Sequence, residues 1–258
     1  MESHLVEFAG LPGSGKSAVS QALAALLERR GVAVSTPRHD LDHRSAPPAR
    51  LARKVAYAVA GALRQPGRAG RWLGTAIQSG QPSLGVLCAV AANWLQLGEI
   101  MRRCVARPGV HLFDEGLLQG LWSAGYEARA QHEVWPQLVR CLEEVLPPRL
   151  VVIVMDAAPA QVRQRLKHRE VAASRLDRDL ARGKRDAAWL RAVTVWDDVL
   201  TTGRGLAGAH RLTLHRIHNE GQTPEEAAVV IAALIRPESA SLRPTPPPVS
   251  PVIVARGE

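Results

Sequence analysis

The chain has 258 residues, enough for one large domain or two small ones, and its 46% hydrophobic content supports a sizeable core. Its formal charge of +9 is carried almost wholly by arginine, because Lys16, Lys54, Lys167 and Lys184 are the only lysines. Such a balance could attract nucleic acid or a membrane surface, and an enzyme of anionic, phosphorylated substrates would also be basic around its cleft. The arginines are spread along the chain rather than run together, which argues against nucleic acid.

Three cysteines, Cys88, Cys104 and Cys141, have no C-x-x-C spacing and read as reduced, mostly buried thiols of a cytoplasmic protein. No basic n-region with an apolar h-region precedes the first strand. The most apolar run, Leu84 to Leu97, contains Asn93 and Gln96 and is too short to span a bilayer. A soluble protein without a membrane partner is therefore expected.

In chain order, Leu5 to Ala9 alternates as a short strand. Gly10-Leu11-Pro12-Gly13-Ser14-Gly15-Lys16-Ser17 follows and fits G-x-x-x-x-G-K-[ST], the loop that wraps a nucleotide's phosphates. Ser17 to Arg30 reads as a helix stopped by Gly31. In that setting the amides of Gly10, Gly13, Ser14 and Gly15 converge on phosphate oxygens, and the helix N-terminus adds positive field. Lys16 would reach the β- and γ-phosphates, and the Ser17 hydroxyl would sit on Mg²⁺.

A second strand is expected at Val32 to Thr36, broken by Pro37, with Arg38-His39-Asp40 behind it. Asp40 is a candidate base toward an acceptor hydroxyl, Arg38 a candidate clamp on an acceptor's negative group, and an ordinary turn is the alternative. Residues 41–108 read as a helical insertion, cut by Pro47-Pro48, Pro66-Gly67 and Gln81-Pro82 into helices near 49–64, 69–79 and 83–106. Arg44, Arg50 and Arg53 at its start could serve a phosphorylated acceptor.

Val110 to Phe113 reads as a third strand ending in Asp114-Glu115-Gly116. Asp114 belongs where a carboxylate holds Mg²⁺, directly or through water. Glu115 would orient an acceptor in a kinase or polarise water in an ATPase, and Gln119 one turn on could face the acceptor. A helix with Pro136 in its first turn follows, then the continuously apolar strand Leu150 to Met155, as expected of a strand covered on both faces.

Pro159 opens a helix into the basic segment 163–185, which carries Arg163, Arg165, Arg169 and Arg175. A mobile segment of this kind would close over the phosphates, and arginine's planar fork suits two oxygens at once. A helix near 186–200 leads to a last strand, Arg211 to Ile217, and then His218-Asn219-Glu220-Gly221. Asn219 is placed at the border of a nucleotide base. Thr223-Pro224-Glu225-Glu226 is a capping box that starts a final helix ending near Ile235. Strands alternating with helices imply an α/β fold with a five-stranded parallel sheet between helices, ligands sitting beyond the strand C-termini. Residues 237–258 form a Pro-rich tail expected to be disordered or extended.

The phosphate loop, the strand-end Asp114-Glu115-Gly116, the lid-like Arg165, Arg169 and Arg175, and the closing unit Ile217 to Ile235 together resemble the P-loop kinases of nucleosides and nucleotides, thymidylate-kinase-like enzymes above all. The resemblance covers most of residues 1–236. It implies an ATP·Mg²⁺ donor site, a small-molecule acceptor pocket under the insertion 41–108, and a closing lid. Glu115 stands where those kinases usually carry an arginine. An ATP-dependent phosphotransferase is the expected function. A P-loop ATPase or switch using Glu115 is the alternative, and a regulator docking through its Pro-rich tail a third reading. The oligomeric state stays open, a homodimer included.

Overall fold

The computed structural model describes residues 2–43, 46–168, 174–181 and 185–235. Five strands, β1 (Ser3–Ala9), β2 (Val34–Ser35), β3 (Gly109–Phe113), β4 (Leu150–Asp156) and β5 (Thr213–His218), form one sheet in the order β2-β3-β1-β4-β5. All four pairings are parallel, as expected from alternating strands and helices.

β1 lies at the centre, and its alternation divides the core. Val6 and Phe8 point to a cluster shared with α1 (Lys16–Arg29) and α11 (Pro224–Leu234), where Leu23, Leu27 and Ile231 are buried. Leu5 and Ala9 point to the opposite face, covered by α5 (Leu84–Val105), α6 (Leu117–Gly125) and α10 (Arg185–Gly208). Each of these fully buried aliphatic side chains contributes about 1.5–3 kcal/mol from removal of its apolar surface from water.

The insertion folds as expected, with boundaries set by its prolines: α3 (Pro47–Arg64), α4 (Pro66–Gln78) and α5. α3 and α5 approach closely at Gly61, where a Cβ would stand 2.7 Å from the Leu95 carbonyl oxygen. Glu99 of α5, its side chain 1% exposed, gathers Arg64 of α3 at 3.4 Å together with Arg102 and Arg103. Arg102 first, and Arg103 with it, hold its carboxyl down at about 2 against the cost of its burial.

Four expectations need adjustment. The second strand shrinks to Val34–Ser35, because Pro37 occupies the first position of a helix, α2 (Pro37–His43), instead of merely ending a strand. Arg38, His39 and Asp40 therefore lie on that helix. α7 (Gln131–Glu143) begins before the expected turn, which puts Pro136 inside it. α10 runs on to Gly208, and the last strand starts at Thr213. The basic segment is seen as α8 (Pro159–Lys167) and α9 (Arg175–Ala181), while Arg44, Arg169 and the tail 237–258 lie outside the described residues.

Gly61→Ala gains about 1 kcal/mol in helix propensity but must push α3 off α5, so a net loss of about 1–3 kcal/mol is expected. Gly70→Ala on α4, where a Cβ meets nothing within 4 Å, should stabilise by up to about 1 kcal/mol. Thermal unfolding of the two variants checks the opposite signs.

Candidate active site

The phosphate loop leaves β1 at Gly10 and enters α1 with Gly13 at φ 88° and Gly15 at φ 96°, left-handed values that glycine adopts at least cost. A Cβ on Gly15 would stand 2.4 Å from Asn219 Nδ2, so glycine is also required by the space. α1 has no side-chain cap and no acidic residue in its first turn, whereas α11 carries the full Thr223–Glu226 capping box. The amides at the start of α1 are thus left for an anion.

Lys16 is buried and curls into the arch, its ammonium donating to the Gly10 and Leu11 carbonyls at 2.7 and 3.0 Å. The Ser14 hydroxyl is buried without a hydrogen-bond partner. Ser17 Oγ donates to Asp114 Oδ2 at 3.3 Å across 97 positions of chain. Desolvation, with Glu115 next to it, pushes the Asp114 carboxyl above its ordinary value. Glu115 is exposed and meets Arg38 of α2 at 3.4 Å. Asp40 is bound by the Thr36 hydroxyl at 3.2 Å in the first turn of α2. It also lines a cavity of about 360 Å³ beside the β2 edge with Arg53 and His111.

The basic segment divides in two. Val162 and Leu166 of α8 pack on Gly13, where a Cβ would stand 3.1–3.3 Å from them, and Arg165 donates to the Gly13 carbonyl at 3.4 Å. Arg163 lies over the Trp189 ring, 4.9 Å from its centroid. α9 is anchored to the core. Arg175 donates to Glu127 at 2.9 Å and to the Ser123 hydroxyl at 2.7 Å, and Tyr126 donates to Asp179 at 3.0 Å. Arg165 is therefore at the loop, and Arg175 is engaged at the far end of α6.

Asn219 is where the chain was expected to border a base, but its side chain is buried and donates to the Ser14 carbonyl at 2.9 Å. Its own N–H donates to the Asp156 carbonyl at 2.7 Å, so it ties the end of β5 to β4 and to the loop. Its place in this structure is behind the phosphate loop.

Glu7 is the functional-site residue that sequence reasoning missed. It sits fully buried on β1, and its carboxylate accepts from the N–H groups of Leu117, Leu118 and Gln119 at 2.8, 2.8 and 3.2 Å. It thereby caps α6, directly after the Asp114 turn, and Gly116 leaves it room, since a Cβ there would fall 2.3 Å from Glu7 Cδ. The available signal was an acid inside a central strand whose neighbours are all apolar. Gln119, expected to face an acceptor, is buried as part of this cap.

The donor set suits Mg²⁺ bound to phosphate: one hydroxyl and one carboxylate, with the remaining positions left to phosphate oxygens and water. No cluster of three or more His, Cys, Asp or Glu side chains that could hold a metal alone occurs among the described residues.

No protein-family model matches this chain, and no curated protein matches it. Among solved structures it is similar to thymidylate kinase from Ehrlichia chaffeensis, at 12% identity and a TM-score of 0.47, over 92% of this chain and 100% of that one. At this distance the likeness carries no functional weight.

Burial raises the Glu7 carboxyl from 4.5 to about 7, against the pull of three N–H donors. The folded chain thus binds this proton more tightly than the unfolded one. Its stabilising contribution is complete below about pH 4.5 and is lost as pH rises through about 7. Glu7→Gln removes the titration. Across that window wild-type stability should fall relative to the variant by about 3 kcal/mol, read from urea unfolding at a series of pH values. Parallel pH profiles would contradict the assignment.

Proposed function

We propose that this protein is an ATP-dependent phosphotransferase that moves a γ-phosphoryl group to a nucleotide, a nucleoside or another small hydroxylated metabolite. The observation that carries the reading is the meeting of Ser17 and Asp114 at 3.3 Å beside an uncapped α1 and a buried lysine. A phosphate loop and a strand-end carboxylate at one spot are the two protein parts that nucleotide-bound Mg²⁺ requires.

In this reading the loop amides and Lys16 bind the phosphates, and Ser17 and Asp114 hold Mg²⁺. A Mg²⁺ held there would supply positive charge to offset the charge developing in transfer. Arg165, already at Gly13, is placed to add a positive charge at the loop. Val162 and Leu166 keep an apolar wall against Gly13 and limit water there. Asn219 holds the loop's shape from behind.

The water-directed alternative needs Glu115 near an attacking water. Its pairing with Arg38 instead joins it to α2, the element expected on the acceptor side, and so favours transfer to an acceptor. Roles for Asp40, Arg169 and Arg175 remain part of the proposal: Asp40 as base toward the acceptor, the arginines as a lid that reaches the phosphates on closure.

Two measurements test the reading. Lys16→Ala should slow single-turnover phosphoryl transfer by about 10²–10³-fold, as for loss of a preorganised charge-stabilising donor; undiminished transfer would contradict the role given to the loop. Asn219→Ala leaves the Ser14 carbonyl without its partner and should weaken ATP·Mg²⁺ binding about tenfold, read by calorimetric titration.

A further inference from the structure

β2 is held to β3 by a side-chain pair as well as by its backbone. Ser35 and His111 are partners in the parallel register, and Ser35 Oγ lies 2.6 Å from His111 Nδ1. The other ring nitrogen, Nε2, is 3.0 Å from the Arg107 carbonyl oxygen. A carbonyl can only accept, so Nε2 carries the proton and donates. In the neutral ring Nδ1 is then the acceptor, and the Ser35 hydroxyl donates to it. The partners are 76 positions apart, so no local motif announces them.

The pair borders the cavity of about 360 Å³ beside the β2 edge, whose lining includes Ser35, Asp40, Tyr57, Cys104, Arg107 and His111. That volume lies within the range of small-molecule sites. Val110 and Leu112 turn toward α1, so His111 between them faces the other side of the sheet. It also precedes Asp114 by three residues, about 10 Å along an extended chain. The pair therefore lies apart from the meeting of Ser17 and Asp114. Burial pushes the Cys104 thiol up to about 11, with the Arg107 guanidinium acting against it. Cys104 is thus a neutral thiol near pH 7, and a positive charge acts on the space that Ser35 borders.

We propose that Ser35 is a nucleophile with His111 as its base, and that the β2-edge cavity hydrolyses small carboxylic esters. A hydroxyl bonded to a base whose other side is fixed by a third group is the arrangement of an activated serine. Here the Arg107 backbone carbonyl takes the third place. Ser35 Oγ attacks the ester carbonyl carbon as its proton passes to His111 Nδ1, and the carbonyl electron pair moves onto oxygen. The Arg107 charge offsets the negative charge on that oxygen. When the pair returns, the bond from carbon to the alkoxide breaks, and Nδ1 gives its proton to the departing alcohol. Water then attacks the acyl-serine. Nδ1 takes a proton from it, the bond between Oγ and the acyl carbon breaks, and the proton returns to Oγ. One ester and one water become one acid and one alcohol, with no other reactant.

The test treats the full chain with a fluorophosphonate that labels activated serines, locates the label by peptide mass spectrometry, and follows p-nitrophenyl acetate hydrolysis in parallel. Label on Ser35 of the folded protein, lost after denaturation, is expected together with ester turnover. Ser35→Ala should abolish both. His111→Ala should lower both by at least about 10²-fold, as for loss of a general base. Free imidazole should restore part of that loss, which a merely structural tie between strands would not allow. A single cooperative thermal transition reports the folding of each variant. No label on wild-type Ser35, label on Cys104 or Tyr57 in its place, or equal labelling of Ser35 in the His111→Ala protein would overturn the proposal.

Discussion

A buried carboxylate in the central strand holds the phosphate-loop end of this fold together. Glu7 is two residues from the end of β1, and the phosphate loop starts directly after that strand. The same side chain accepts three N–H groups at the start of α6, and the Asp114 turn lies immediately before that helix. One side chain thus fixes the distance between loop and turn, and hence the meeting of Ser17 and Asp114. The helix it caps has its terminal dipole satisfied by protein, whereas α1 keeps its own open. Of the two helices that follow β1 and β3, α6 is capped by Glu7 and α1 is left open to an anion.

The other contacts at the site serve the same geometry. Asn219 holds the loop from the β5 side, and α8 closes over Gly13 with two aliphatic side chains and Arg165. α9 is attached to the far end of α6 through Arg175 and Tyr126. α6 therefore links the Asp114 turn to the second half of the basic segment.

Local features were legible from sequence wherever the cause is local. The glycines of the loop, the prolines that cut the insertion, the apolar β4 and the Thr223 capping box all act through neighbouring residues. Features whose cause is distant were not legible. α6 has no capping residue of its own, because its cap is Glu7, more than a hundred positions earlier. Without that partner, Leu117 to Gly125 is an apolar, glycine-flanked run with no start signal. Asn219 likewise has its partner 205 positions away, so its role behind the loop cannot be read from the residues beside it. Pro37 illustrates a local ambiguity, since the same residue can end a strand or open a helix. The insertion is least legible of all, because α3 and α4 carry no chemical motif and leave Leu51, Leu63 and Ile77 exposed.

Phosphoryl transfer itself is the central claim, and following the γ-phosphate of ATP by ³¹P NMR tests it most directly. The protein with ATP and Mg²⁺ should convert at least one member of a panel of nucleotides, nucleosides and hydroxylated metabolites into its phosphorylated form, with ADP appearing in equal amount. Release of inorganic phosphate at a rate indifferent to every acceptor, or no consumption of ATP at all, would contradict it.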